Sequence, residues 1–312
     1  MMSHTSYART TAKVNRRKPI DWVDANLKWI LIAPPVVFIT LLIAFPIGYT
    51  IFLSLTDAQG AVTRPFDFVG FDNYAYWLQD ANRFWPAVWR TAYFTGMALL
   101  LELVIGLAIA MLLRKTFRGQ GLVRVLILLP LVATPVAVGM MWLLLFEPTI
   151  GFVNVLMDAI GLPRQGWLSD KDMALNTVLF VEVWQWTPMI VLILLAGLST
   201  LPNEPDEAAR VDGANAWQRF WHITLPLLTP VIAAAALLRA IDALKTFDII
   251  YATKGRGGGS SHEAETLNIL AYSDAFEYSN YGRASALLML FFMFIVIVLS
   301  VLAIMRKKEV AS

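Results

Sequence analysis

Six stretches of this chain are long enough and apolar enough to cross a lipid bilayer, and nothing else in the sequence restricts the fold as strongly. A crossing helix needs about 20 mostly apolar residues. The runs are Ile30–Leu55, Val88–Leu113, Leu122–Phe146, Met173–Leu198, Ile223–Ile250 and Ala284–Met305. Hydrocarbon offers no partner for backbone N–H and C=O groups, so runs of this kind fold as helices that satisfy those groups internally. Charge is correspondingly scarce, 15% of residues against about 25% in soluble domains. The expectation is an all-α, polytopic membrane protein with six transmembrane helices. The first run is longer than a signal-peptide core of roughly 7–15 residues and no small-residue cleavage site follows it, so it reads as a retained span.

Basic residues set the orientation of such a chain. Most of them gather on one side: Arg9, Lys13, Arg16, Arg17, Lys18 and Lys28, then Arg114, Lys115, Arg118 and Arg124, then Arg210 and Arg219, then Arg306, Lys307 and Lys308. Fewer lie in the longer loops of the other side, which also hold most of the loop acids. Both termini are therefore expected in the cytoplasm. The expected organisation is a basic segment 1–27, a six-helix domain 28–306 with a cytoplasmic loop 199–224, and a tail 307–312. Trp77, Trp85, Trp89 and Trp167 fall near the far face, where interfacial anchors belong.

Several functions are left without support. The net charge of +2 gives no electrostatic footprint for nucleic acid. With no Cys, disulfides and thiolate metal sites are excluded. His4, His222 and His262 have no metal-ligand spacing, and no phosphate-binding Gly-Lys-Ser/Thr ending is present. The stretch "KGRGGGSS" (Lys254–Ser261) reads as a flexible loop. No catalytic constellation is found, so the chain is not expected to be an enzyme or to hold a metal or cofactor.

One polar island interrupts the apolar runs, "EAARVDGANAWQRFWHITLPLLTP" from Glu207 to Pro230. Asn203 or Asp206 can cap a helix there, Pro205 suits a first turn, and Glu204, Asp206 and Glu207 favour the positive end of its dipole. Gly213 supplies a left-handed stop. Ala208, Ala209 and Val211 form a narrow apolar stripe, and Asp212 precedes the turn. Trp217, Phe220 and Trp221 share one side of a second helix, and Pro226 and Pro230 are expected to break or kink the chain as it re-enters the membrane. The island is either a plain connecting hairpin or a docking element for another protein.

Polar residues inside spans are functional candidates, because hydrocarbon penalises them. Those near mid-depth are Glu102, Thr134, Trp184, Gln185, Trp186, Arg239, Asp242, Lys245 and Thr246. Arg239, Asp242 and Lys245 recur every third residue, so Asp242 is placed to neutralise either base on one helix face. Thr134-Pro135 and Thr187-Pro188 are expected to kink their helices. Aromatics beside amides and acids suit a polyhydroxylated ligand. An internal Arg239–Asp242 pair and packed tryptophans remain the alternative.

The island resembles the signature loop of binding-protein-dependent ABC importer permeases: Glu-Ala-Ala, then Gly after three intervening residues, then Ile-x-Leu-Pro. Here those positions are Glu207, Ala208, Ala209, Gly213, Ile223, Leu225 and Pro226. "FVGFDNYAYWL" (Phe68–Leu78), "RGQGLVRVLILLPLVATPVAVGMMW" and "IDALKTFDIIYATKGRGGG" are similar to further segments of the sugar-type, maltose-like permeases, most of all the first, "F"-type subunit. The resemblance implies the type I importer architecture in a bacterial inner membrane. It implies a coupling helix that fits a groove on an ATPase, and a mid-membrane sugar site near Ile241–Thr246. It also implies a second permease subunit in a heterodimer, two ATPase subunits that bind ATP and Mg, and a periplasmic or lipid-anchored solute-binding protein. A self-contained secondary transporter or channel subunit is the competing reading, although neither inverted repeats nor a pore-loop filter is evident.

Overall fold

In the computed structural model, residues 19–61 and 64–311 are described, and among them the protein is helical apart from one isolated bridge, Thr56 with Phe68. The basic cluster Arg9–Lys18 and His4 lie outside the described residues, as do the side chains of Arg306, Lys307 and Lys308. The chain divides into two units, residues 1–50 and 51–312. In the first unit, helix α1 (Pro19–Ser54) begins ahead of the first apolar run and exposes apolar side chains such as Phe38 and Phe45. That suits a helix surrounded by lipid.

The second unit runs α2 (Asp72–Gln79), α3 (Phe84–Leu113), α4 (Gln120–Val132), α5 (Pro135–Leu145), α6 (Phe152–Ala159), α7 (Lys171–Thr200), α8 (Glu204–Val211), α9 (Ala216–Arg219), α10 (Leu225–Leu244), α11 (Asp248–Lys254), α12 (Leu267–Tyr272) and α13 (Tyr281–Ala311). Among the described residues, five helices of the two units together, α1 included, are long and apolar enough to cross a membrane, and a sixth crossing follows if the bent pair α4–α5 counts as one span. α7 is the central post: 61% of its most apolar window is buried, against 28% for α3 and 33% for the span ending in α10. It packs closely on α3 at Gly106. A Cβ there would sit 2.6 Å from Ile190 Cγ2, so only hydrogen lets the two backbones approach, as small residues commonly do between membrane helices. Gly106→Val should therefore destabilise the fold by roughly 1–3 kcal/mol through overpacking, measurable as a lowered thermal midpoint of the purified protein.

The third apolar run is not one continuous helix. α4 and α5 meet at 99° across Ala133 and Thr134, both extended. Pro135 disfavours helical backbone in the residue before it, and Thr134 instead caps α5, its Oγ1 accepting from Ala137 N at 3.4 Å. The fifth run also ends early. Helix stops at Leu244 and restarts as α11 at Asp248, which leaves Lys245–Phe247 as an irregular link inside the expected span. By contrast, α7 passes through Pro188 unbroken, and buried Thr187 returns its hydroxyl to Val183 O at 2.6 Å.

The other face corrects two further expectations. Trp77 is no interfacial anchor; it is buried among Phe84, Leu267 and Leu287 and donates to Arg283 O at 2.8 Å. Trp167 is likewise tied inward, donating to Asn154 Oδ1 at 2.9 Å, while Trp85 and Trp89 do present exposed rings. The Gly-rich stretch is packed rather than loose. Gly257 and Gly258 are buried, and a Cβ on Gly258 would lie 2.5 Å from Glu265 N. Glu265 itself is enclosed and paired with Arg83 at 2.5 Å, while Lys254 holds Glu263 at 2.7 Å. Burial raises the Glu263 carboxyl, but the Lys254 ammonium and two backbone N–H groups outweigh it and hold the group below its ordinary value.

Candidate functional site

The polar island folds as two short helices. α8 begins after Asn203 with Pro205 in its first turn, as expected, although Asn203 makes no side-chain cap. It ends at Gly213, whose φ of +82° is left-handed. Gly213 N donates to Arg210 O at 3.1 Å and Ala214 N to Ala209 O at 2.9 Å, the paired bonds of a Schellman stop. Two residues on, Asn215 caps α9 in a reciprocal box with Gln218, each side chain accepting from the other's backbone N–H at 2.9 Å. The Asn-x-x-Gln spacing carried that signal in the sequence.

Asp206 binds the two helices to each other. It accepts from Arg210 at 2.8 Å on its own helix and from Arg219 at 2.9 Å across the turn. Partial burial pushes its carboxyl up, but the two guanidiniums overcome this and hold it below the usual carboxylate range. A depressed folded value adds stability above the unfolded value of about 3.9, and that stability is lost as pH falls through the lower folded value. Asp206→Asn should cost about 1 kcal/mol, since Arg210 is largely exposed. Faster amide exchange confined to α8 and α9 would report it.

Among the described residues, nothing covers the outer surface of α8. None of its residues is buried, and Val211 is 88% exposed. Glu207, Ala208 and Asp212 are exposed beside it, with Ala209 half-buried. Ile223 falls in a π-helical turn, Phe220–Thr224, that leads directly into Leu225 and Pro226 at the head of α10. Here the proline does not break the chain, and Ala216–Leu244 forms one candidate span. An α-turn would clash Pro226 with the carbonyl four residues back; the wider turn lets Leu225 N donate to Phe220 O instead. The helix thus runs continuously from α9 of the island into the membrane span.

Inside the bundle, Arg239 is fully enclosed and does not pair with Asp242 as the sequence spacing suggested. It reaches two carboxylates on other helices. Nε and Nη2 donate to Glu102 Oε2 and Oε1 at 2.7 and 2.9 Å, a two-pronged bond, and Nη2 also donates to Glu182. α3, α7 and α10 are pinned together at this point. Asp242 faces Lys245 instead, at 3.8 Å, with both side chains about half exposed. The i, i+3 geometry was right for that pair and wrong for Arg239, whose long side chain turns toward the acids packed against it.

Above this triad lies a cavity of about 290 Å³. Its lining includes Glu182, Trp186, Arg239, Asp242, Lys245 and Thr246. Trp186 stacks over the guanidinium, 5.1 Å from ring centroid to Cζ, and Thr246 Oγ1 donates to Glu182 at 3.0 Å. Three sequence candidates lie elsewhere. Trp184 packs edge-on against Trp142 at 5.4 Å and lines an apolar groove. Thr134 caps α5. Gln185 is buried and donates to Ala133 O at 3.1 Å, which ties α7 to the break between α4 and α5. Glu182 was missed, though its spacing revealed it. It stands four residues before Trp186, one turn away on the same face, whereas Trp184 points to the opposite side.

The comparisons with known proteins show the family and the fold. The family model of the binding-protein-dependent transport system inner membrane component matches residues 102–307. The chain is 33% identical over 282 residues to the trehalose/maltose transport system permease protein MalF of Thermococcus litoralis, covering 90% of this chain and 94% of that one. It is 34% identical over 284 residues to the trehalose transport system permease protein SugA of Mycobacterium tuberculosis, covering 91% and 90%. Among solved structures, a chain of the bacterial alginate ABC transporter, crystallised with an alginate pentasaccharide-bound periplasmic protein, superposes with a TM-score of 0.81 over 93% of this chain and 97% of that one. Its sequence identity is 19%, so the likeness shows the fold. A family match beginning at the triad residue Glu102 and enclosing both the Glu-Ala-Ala loop and the cavity leaves one assignment: the chain belongs to the inner membrane components of binding-protein-dependent transport systems, as a multi-pass permease subunit of an ABC importer.

Proposed function

We propose that this permease passes a sugar or sugar derivative, such as a polyol, a glycoside or a glycerol-phosphate-like solute, through the cavity above the Arg239 triad. One observation carries the reading: an aromatic ring, Trp186, stands among hydrogen-bonding groups from Glu182, Thr246, Asp242 and Lys245 in one cavity. A sugar offers an apolar ring face and a rim of hydroxyls, which such a lining matches. The cavity is at the small end of the usual ligand-pocket range of roughly 300–1,000 Å³, as expected where a second homologous permease supplies the other wall.

The driving force comes from outside this chain. Two ATPase subunits bind ATP and Mg, and a periplasmic or lipid-anchored binding protein delivers the solute. With α8 on the cytoplasmic face, closure of the ATPase pair moves α8. The clamp at Asp206 and the unbroken Ala216–Leu244 helix carry that motion to Arg239. Nucleotide must bind the two states with different affinity for this to work. Uptake by proteoliposomes holding the assembled transporter, across a panel of sugars, amino acids and metal ions, tests the substrate class. Trp186→Ala should weaken sugar uptake at least tenfold, while uptake of amino acids or metals alone would refute the sugar reading.

A further inference from the structure

A second cleft, of about 470 Å³, opens where the end of α3 meets α8, α9 and the π-turn. Its wall is basic: Arg114, Lys115, Arg210 and Arg219 line it against Asp206 and Glu207. Arg210 and Arg219 are engaged by Asp206. Among the described residues no carboxylate pairs with Arg114 or Lys115, although Arg114 is half-buried. The floor is apolar, formed by Met111 and Leu112 in the last turn of a membrane span, with Leu112 73% exposed toward its surroundings. Among the described residues, cations without a carboxylate partner therefore stand at the end of an apolar span. A soluble anion has no use for the apolar floor, whereas a phospholipid uses both parts.

We propose that this cleft binds the phosphodiester headgroup of an anionic membrane lipid, with its chains along Met111 and Leu112. Basic pockets between spans on the cytoplasmic side are suited to such headgroups. The lipid would lie directly under the Asp206 clamp and so bear on the hairpin that moves with α8. The site shares with the coupling reading only the assignment of α8 to the cytoplasmic face. Lipid retention is measured without ATP, so either reading can fail alone.

The test is lipid retention by the purified transporter in nanodiscs of phosphatidylcholine doped with phosphatidylglycerol, read by native mass spectrometry. A basic residue held against an anionic headgroup contributes roughly a fivefold gain in affinity. Arg114→Gln with Lys115→Gln should therefore weaken phosphatidylglycerol retention by about thirtyfold by the same scale. Arg114→Lys, which keeps the charge, should retain the lipid and shows that the site folds. Arg118→Gln with Arg124→Gln removes two neighbouring cations outside the cleft and should leave retention unchanged. Equal retention by the first variant and the unmodified chain overturns the proposal. So does an equal loss in the control pair, which would mean diffuse surface charge, or displacement by inorganic phosphate, which would mean a free-anion site.

Discussion

Arg239→Met is expected to destabilise the assembled permease by about 3–5 kcal/mol, the usual cost of removing one partner from a buried ion pair. The variant leaves Glu102 and Glu182 facing each other, both enclosed and both deprived of the guanidinium they share. The single replacements Glu102→Gln and Glu182→Gln should cost less, because the arginine keeps one carboxylate in each. Replacing all three groups together, with Arg239→Met, Glu102→Gln and Glu182→Gln, should recover most of the stability, since no charge then remains buried. Thermal midpoints in detergent separate these cases. Uptake adds a second reading. If the triad only holds helices together, the triple variant transports normally. If Glu182 also serves the cavity, as its place in the lining implies, the triple variant is stable and transports poorly.

The second large effect is expected at Gly213. The residue has φ +82°, and a Cβ there would meet nothing within 4 Å, so backbone strain alone is tested. Asn tolerates the left-handed region and a β-branched residue does not. Gly213→Asn should keep ATPase stimulation by loaded binding protein close to that of the unmodified chain. Gly213→Val should lose at least tenfold, because a strain of roughly 1–3 kcal/mol falls on the turn that orients α8 against α9. The loss should appear in stimulated ATPase and uptake together, with only a small fall in the thermal midpoint, because the exposed turn can relieve the strain locally by letting α8 swing away from α9. Unchanged stimulation in Gly213→Val would remove α8 from the coupling path.

Much of this architecture was legible because hydrocarbon leaves few options. Apolar length identified the spans, and the Gly213 stop and the Glu-Ala-Ala spacing identified α8. What escaped the sequence depended on neighbours that are distant along the chain. Arg239 chose Glu102 and Glu182, 137 and 57 residues away, over an acid three residues off. Pro226 and Pro230 were expected to break or kink the chain; neither breaks it, and a five-residue π-turn accommodates Pro226. Thr134-Pro135 did mark a bend, but its size, 99°, was not legible, and neither was Gln185 bonding Ala133 O there from another helix. Trp77 looked like an anchor until α12 and α13 enclosed it.

We propose that a separate ATPase grips this chain at α8 from the cytoplasm. The sequence contains no Cys, so Ala208→Cys introduces the sole thiol on an exposed position of α8. Its reaction with a membrane-impermeant maleimide can be followed in whole cells, in inverted vesicles, and in inverted vesicles with the ATPase subunits stripped and restored. The expected result is no labelling in whole cells, labelling in stripped inverted vesicles, and protection when the ATPase returns. Labelling from outside, or no protection by the ATPase, would contradict it.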